Sequence, residues 1–252
     1  MTSSKQPAYA RIYAWFSAMA NDDTDLLDDL LAYGFPIDTP HPLRHSTALM
    51  EATRLGRANM VQWLLDHGAA PAFLCGFPVG TSLHCAIRRH HWDVATILAN
   101  AMDSCALMDA YNATPLHILC AEVPHPAQPL AMIGIAIHLI QKNCPLDALD
   151  HDGTTALHHC VINGHEELAA LLLHHGANPN ALIPDSHVSP LTIAALEHNL
   201  SMAKLLLAHG ADPQLRTLEG SSALSICSAI EHLMADTSPV HAASHTVSNS
   251  LH

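Results

Sequence analysis

Positive charge is scarce in this sequence. Lys and Arg together number ten, against 23 Asp and Glu, so the formal net charge is −13 when His is neutral. Proteins that bind nucleic acids or anionic membranes do so through clustered Lys and Arg. The charge balance therefore argues against both partners, nucleic acid and membrane.

Long apolar runs are also missing. A membrane-spanning helix needs about 18 or more consecutive apolar residues. The best run here, residues 133–140, has eight and includes His138. Charged residues make up only 13% of the chain and hydrophobic residues 49%, which is unlike the composition of a disordered protein. We expect a folded protein with a buried core and no transmembrane segment.

The cysteines do not suggest a disulfide framework. Their number, seven, is odd, and a chain of 252 residues is far larger than the small secreted domains that need disulfides. We therefore expect reduced thiols and a cytoplasmic protein. A competing interpretation is a signal peptide, because Lys5 and Arg11 precede an apolar stretch over residues 12–20 that ends in small residues before Asn21.

A repeated pattern runs through the chain. The segment at Thr155 reads Thr-Ala-Leu-His, and Gly164 and a Leu-Leu-Leu-His-His-Gly-Ala-Asn run follow it. Similar segments begin at Thr47, Thr81, Thr114, Ser189 and Ser222. Counted from Tyr13, successive copies are 34, 34, 33, 41, 34 and 33 residues apart. A constant period of about 20–50 residues indicates stacked repeats.

Each copy contains the pattern of two short helices. Apolar residues spaced i, i+3, i+4 predict them in the Thr155 copy: Leu157, Cys160 and Val161 in the first, and Leu168, Leu171 and Leu172 in the second. Helices of about 8–10 residues are unstable alone in water, so neighbouring copies must cover their apolar stripes. Gly164 stands where the first helix ends and the chain reverses, and Gly176 and Gly210 stand after the second helix, where a left-handed backbone favours Gly.

The sequence resembles the ankyrin-repeat family. Thr114-Pro-Leu-His117 matches the signature tetrapeptide of the family, and Gly-Ala-Asx stands at 176–178 and 210–212. The resemblance implies an all-α solenoid of helix-turn-helix units linked by hairpin loops, with about seven repeats and degenerate terminal caps. It covers residues 9–235, in repeats of about 9–40, 41–75, 76–108, 109–149, 150–183, 184–216 and 217–235. Residues 1–8 are then an N-terminal extension and residues 236–252 a flexible tail.

Three segments keep two interpretations each. Residues 12–20 form the first helix of a capping repeat, if they are not a signal peptide. The acidic residues that follow form a solvated capping face or an acidic docking site: Asp22, Asp23, Asp25, Asp28 and Asp29. Eight extra residues in the fourth copy, within the proline-rich segment 121–130, form a surface excursion or a contact loop for a partner.

The resemblance assigns structural roles to the histidines. It places His84, His117 and His158 in the signature position, where the imidazole ties neighbouring hairpins and helices together. Equivalent residues of stacked helices lie about 10 Å apart, whereas zinc binds its ligands at about 2.0–2.3 Å. Cys85 and Cys160 follow histidines, but Cys160 occupies a small core position, where thiols are inert, and Cys85 lies one place before the equivalent position. We therefore predict no metal, no cofactor and no enzymatic activity.

The resemblance also implies a protein-binding surface on the concave face, formed by hairpin tips and the exposed positions of the first helices. The residues at these positions are Arg44, Arg54, Leu55, Phe77, Arg88, Arg89, Tyr111, His151, Asp152, Ile162 and Asn163. Arg54 and Arg88 occupy the same position in adjacent repeats. We expect them to be exposed in a basic row, so that reversing their charge leaves the fold intact and weakens binding of an acidic or phosphorylated partner.

The predicted function is a non-enzymatic protein–protein interaction module that acts as a monomer. Three settings are open: an adaptor in the cell that makes it, a bacterial effector delivered into a host cell, or an antitoxin-type or immunity-type inhibitor that blocks the active site of a cognate enzyme or toxin.

Overall fold

A computed structural model describes residues 6–72, 80–122 and 129–237. These residues form fourteen α-helices, and the one β contact among them is an isolated bridge between Arg216 and Ser222. The helices are α1 (Gln6–Asn21), α2 (Thr24–Ala32), α3 (Ala48–Arg54), α4 (Ala58–Asp66), α5 (Ser82–Arg88), α6 (Trp92–Ala101), α7 (Pro115–Ala121), α8 (Pro129–Gln141), α9 (Ala156–Ile162), α10 (Glu166–His174), α11 (Pro190–Leu196), α12 (Leu200–Ala208), α13 (Ala223–Ile226) and α14 (Ala229–Thr237). The predicted contact residue Phe77, residues 123–128 of the predicted insertion and residues 238–252 of the predicted tail lie outside the described residues.

Local sequence sets where each helix begins and ends. The hydroxyls of Thr47, Thr114, Thr155 and Ser189 accept a hydrogen bond from the backbone N–H three residues later, which caps α3, α7, α9 and α11. The predicted glycines all have left-handed backbones, with φ of +70° at Gly164, +92° at Gly176 and +86° at Gly210. The chain therefore reverses where the repeat pattern indicates.

The helices pack in two layers. Each odd-numbered helix from α3 onward contacts the next odd-numbered helix, up to α13, and from α4 to α14 each even-numbered helix contacts the next even-numbered one. Each odd-numbered helix also packs against the even-numbered helix that follows it. The all-α solenoid predicted from the repeat pattern is confirmed in this part of the chain.

The core consists of leucine rows that run along the stack. The odd-numbered helices contribute one row, in which every member is at most 1% exposed: Leu49, Leu83, Leu116, Leu157 and Leu191. The even-numbered helices contribute a second row that is completely buried: Leu64, Leu98, Leu139, Leu172 and Leu206. The helices that carry each row pack against their counterparts in neighbouring repeats, so one repeat cannot bury its own core.

The first helix is part of this packing. Trp15 of α1 is completely buried, and its ring lies 5.0 Å from Phe35 and 6.5 Å from Trp63. Asp23, one of the predicted capping acids, accepts a hydrogen bond from the N–H of Leu26 and caps α2. In the described structure, residues 12–20 therefore lie in a helix that packs against α2 and α3 at the start of the stack.

Two of the signature histidines, His84 and His117, connect neighbouring repeats by hydrogen bonds. Nδ1 of His84 accepts a hydrogen bond from the backbone N–H of Thr81, so the proton must lie on Nε2, which donates to the carbonyl of Ala113 in the next repeat at 3.1 Å. Nε2 of His117 is likewise 2.9 Å from the carbonyl of Ala148. Burial lowers the pKa of His84 and of His158 to about 4. The neutral imidazole is therefore built into the fold.

Candidate functional site

The hairpin tips and the exposed side of the odd-numbered helices form one surface, hereafter the inner face, which is the face predicted to bind partners. Between α3 and α5 it contains a groove of about 460 Å³. Four of the predicted contact residues line this groove: Arg44, Arg54, Arg88 and Arg89. The chain has only ten basic residues, so this arginine groove concentrates much of its positive charge.

A buried carboxylate lies under the first two arginines. Oε2 of Glu51 accepts hydrogen bonds from Arg44 Nη1 at 3.1 Å and from Arg54 Nη2 at 2.8 Å, and Oε1 accepts one from Ser46 at 2.7 Å. The Glu51 side chain is only 5% exposed. Burial alone raises the pKa of Glu51, but the bonds from Ser46 and Arg54 outweigh it and hold that pKa below its usual value. Glu51 is therefore ionised and orients both guanidinium groups.

A second buried carboxylate holds Arg88. Asp109, at the hairpin tip of the next repeat, is hydrogen-bonded to Arg88 Nη2 and accepts two further bonds, from the N–H groups of Tyr111 at 2.8 Å and Ala113 at 3.0 Å. Burial raises the pKa of Asp109, and the bonds from Arg88 and the two N–H groups lower it further than burial raises it. Arg88 therefore links α5 to the hairpin before α7.

The expectation that Arg54 and Arg88 are freely exposed is wrong. Their side chains are 41% and 26% exposed, and each is paired with a carboxylate that is almost completely buried. Arg89 differs, since its residue is exposed and none of the ion pairs in the described ranges involves it. Reversing the charge of Arg54 or Arg88 would thus place two carboxylates side by side.

We expect Arg88→Glu to lower the free energy of unfolding by about 1–3 kcal/mol, because Asp109 would lose its charged partner while remaining buried. The neighbouring substitution Arg89→Glu makes the same change of charge at an exposed site, and should change stability by less than about 0.5 kcal/mol. Urea unfolding of both variants measures the difference. Equal stability of the two variants would contradict a structural role for the Arg88–Asp109 pair.

Farther along the inner face, Asp150 is held by hydrogen bonds from neighbouring side chains. Oδ2 of Asp150 accepts hydrogen bonds from Thr154 Oγ1 and from His159 Nε2, both at 2.8 Å. Burial raises the pKa of Asp150, but the bonds from His159 and Thr154 lower it below its usual value. Asp150 stands five residues before its capping threonine, the same place as Asp109.

The remaining predicted contact residues are distributed along the face. Leu55 directly follows α3 and is 45% exposed, and Ile162 is the last residue of α9 and is 51% exposed. Tyr111 is 54% exposed at a hairpin tip. The backbone N–H of His151 donates to the Tyr111 carbonyl at 2.8 Å, which brings two tips together, and Asp152 lies beside His151. Asn163 is half-buried and donates to the carbonyl of Cys120 in the preceding repeat.

The sequence patterns did not identify three carboxylates of this face. These are Glu51 and the two equivalent hairpin acids, Asp109 and Asp150. An acid at a fixed distance from a capping threonine, in a face rich in arginine, is the pattern that would have identified Asp109. Glu51 offers a weaker pattern, since the equivalent residues are Cys85, Ile118 and His159. Only the packing of α3 shows that Glu51 is buried.

The thiols and potential metal ligands show no reactive arrangement. Burial raises the pKa of Cys85 and, to about 11, that of Cys144, so both remain protonated and weakly nucleophilic at neutral pH. In the part of the chain that is described, no group of three or more His, Cys, Asp or Glu could hold a metal ion. Likewise, none of the helices seen there is long and apolar enough to cross a membrane.

Comparison with known proteins adds relatives with a similar repeat array. The mouse B-cell lymphoma 3 protein homolog is 32% identical over 144 residues, and the human B-cell lymphoma 3 protein is 35% identical over 144 residues; each alignment covers 57% of this chain and 31% of the relative. A putative ankyrin repeat protein of fowlpox virus is 28% identical over 189 residues, which cover 68% of this chain and 32% of the relative. The chain thus spans about a third of the length of these curated relatives.

Comparison with solved structures also finds an ankyrin repeat domain. The crystal structure of the ankyrin repeat domain of Bcl-3, described as a unique member of the IkappaB protein family, superimposes with a TM-score of 0.64 and 28% sequence identity. The superposition covers 77% of this chain and 87% of that domain.

The family model described as ankyrin repeats (3 copies) matches residues 14–107 and 130–217, which is well over half of the chain. Ankyrin repeats generally mediate protein–protein interactions and are typically non-enzymatic. Since the repeat spacing, the helix stack and this match agree, the chain belongs to the ankyrin-repeat family.

Proposed function

We propose that this protein is a non-enzymatic adaptor that binds a protein partner on its inner face, with the arginine groove as the centre of the contact. The observation that carries the proposal is the groove itself. Four arginines meet there, only two carboxylates neutralise them, and the rest of the chain is strongly acidic. An acidic or phosphorylated protein surface is the complementary partner.

The buried carboxylates support this role by holding the guanidinium groups in place. A side chain that is already ordered loses less conformational entropy when a partner binds. Arg54 keeps N–H donors that Glu51 does not use, and Arg89 adds an exposed positive charge beside them. Guanidinium groups can donate two parallel hydrogen bonds to one carboxylate or phosphate. The groove therefore combines positive charge with preorganised donors.

A reducing compartment is the setting that we propose. Six cysteines are free in the described part of the chain: Cys85, Cys105, Cys120, Cys144, Cys160 and Cys227. Proteins that work in oxidising compartments usually pair their cysteines. This supports the cytoplasm, either of the cell that makes the protein or of a host cell that receives it.

The test is affinity purification with the full chain, followed by measurement of the affinity of the captured partner. We expect Arg89→Glu to weaken binding by about tenfold, which corresponds to about 1.4 kcal/mol, because an exposed groove charge is reversed while the fold stays intact. Binding should also weaken as the ionic strength rises.

Lys204→Glu is the matched control, since Lys204 is exposed on α12 in the other helix layer. Equal affinity of the Arg89→Glu and Lys204→Glu variants would overturn the role of the groove. A partner that proves to be an enzyme, bound very tightly and inactivated by this chain, would indicate an inhibitor of the antitoxin or immunity type instead of an adaptor.

A further inference from the structure

One position of the inner face is occupied by charged residues at one end of the stack and by aliphatic residues at the other. It is the seventh residue after each capping Thr or Ser, and its occupants from α3 to α11 are Arg54, Arg88, Ala121, Ile162 and Leu196. We call this set the register row. The row begins with two arginines of the groove and ends with two aliphatic side chains. The same repeat geometry thus presents charge at one end and apolar surface at the other.

The aliphatic end is open to solvent. Ile162 and Leu196 are 51% and 54% exposed, and they lie on α9 and α11, which pack against each other. A single exposed aliphatic residue is ordinary on a protein surface. Two in consecutive repeats at one register position place exposed apolar surface on neighbouring helices, about 8–10 Å apart.

The charge around the aliphatic end is opposite to that of the groove. Helices α7, α9 and α11 contain neither Lys nor Arg. Glu197 follows Leu196 and is exposed, and Asp152 is exposed at the hairpin tip before α9. A ligand with carboxylates would therefore be attracted to one end of the row and repelled from the other, which fixes its direction.

The spacing along the row sets the size of the ligand. Packed helices are separated by about 8–10 Å, so α5 and α9, which are two helices apart, lie about 20 Å apart. An extended peptide covers this distance with about six residues, at about 3.3 Å per residue. A single continuous segment can therefore contact both ends.

We propose that the inner face binds one extended segment of a partner protein, with Asp or Glu carboxylates in the arginine groove and aliphatic side chains about six residues away on Ile162 and Leu196. The charged half of this proposal rests on the proposed function. The aliphatic half is independent of it, so the charged half and the aliphatic half can be tested separately.

The experiment is selection of a phage-displayed library of random peptides of about 16 residues, which span about 50 Å when extended, on the immobilised full chain. The enriched peptides should carry clustered acids and, about six residues away, aliphatic residues. The best of them is then made synthetically and its affinity measured by fluorescence anisotropy. We expect about tenfold weaker binding to Arg89→Glu and about tenfold weaker binding to the Ile162→Ser/Leu196→Ser double variant.

The controls are changes of the same kind in the other helix layer: Lys204→Glu for the charge, and Leu26→Ser/Leu130→Ser for the exposed aliphatic residues. Thermal melting confirms that every variant is folded. A peptide that is sensitive to Arg89→Glu but not to the aliphatic double variant overturns this inference and leaves the proposed function standing. A peptide that is insensitive to both overturns the inference and the arginine groove together, whereas a library without any enrichment overturns the extended-segment inference alone.

Discussion

Acidification from pH 7 to pH 5 should lower the free energy of unfolding of this protein by about 4 kcal/mol. The loss comes from His84 and His158, whose pKa burial lowers to about 4, while the value in the unfolded chain is about 6.5. Below pH 6.5 the unfolded chain therefore binds protons that the folded chain does not. Each group stabilises the folded chain fully above pH 6.5, and this contribution is lost as the pH falls towards 4. By pH 5 the loss is about 2 kcal/mol for each group.

His117 acts in the same direction, because burial also lowers its pKa. The paired carboxylates of Glu51, Asp109 and Asp150 do not contribute in this window, because their pKa values lie below the usual carboxyl range. Glu122 opposes the trend slightly, since burial raises its pKa and its protonation favours the folded chain. The sum remains a loss of stability on acidification.

Urea unfolding at pH 7, 6 and 5 measures this dependence. The His84→Gln/His158→Gln variant is the control: it should be less stable at pH 7 because the hydrogen bond from His84 to the carbonyl of Ala113 in the next repeat is lost, but its stability should change much less between pH 7 and pH 5. A wild-type protein whose stability is constant across this range would show that the signature histidines are accessible to protons in the folded state.

Substitution of Leu172 by Ala should lower the free energy of unfolding by about 2–5 kcal/mol, because it removes buried methyl groups and leaves a cavity. Leu172 lies in the middle of the second leucine row, on α10, and is completely buried. The neighbouring helices α8 and α12 contact α10 from both sides and cannot close the gap without losing their own packing.

Leu130→Ala is the matched control, since Leu130 is also a helical leucine but is 85% exposed. It should change stability by less than about 0.5 kcal/mol. Differential scanning calorimetry gives the melting temperature of both variants and of the wild type. If the melting temperature of Leu172→Ala matched that of Leu130→Ala, the assignment of Leu172 to the core row would be wrong.

The repeat architecture followed from the sequence because its determinants are local. Capping residues such as Thr155, the glycine at 164 and the leucine at 172 act within one repeat or on its nearest neighbour. The same short pattern returns about every 34 residues, so each copy supports the interpretation of the others. In an ankyrin stack each repeat contacts only its neighbours, and the particular partner that a side chain finds in a neighbouring repeat is what a pattern cannot show.

The character of the candidate site depended on such contacts. Arg88 was expected to be exposed, and it is instead paired with Asp109, which is 21 residues farther along the chain at the next hairpin tip. Arg54 and Arg44 share Glu51, whose burial follows from the way α3 packs between α1 and α5. A sequence position predicts which layer a side chain belongs to, but the partner that it finds there depends on how neighbouring repeats are placed.

The sequence by itself determined the repeat, the pairing of two short helices in each copy, the glycine turns and the leucine core. The tertiary structure decided which arginines are fixed and which remains available, and it aligned Arg54, Arg88, Ile162 and Leu196 in one row. The physical reason is the range of the interactions. Capping, periodicity and apolar burial act over a few residues, whereas an ion pair with a buried carboxylate exists only after two repeats have stacked.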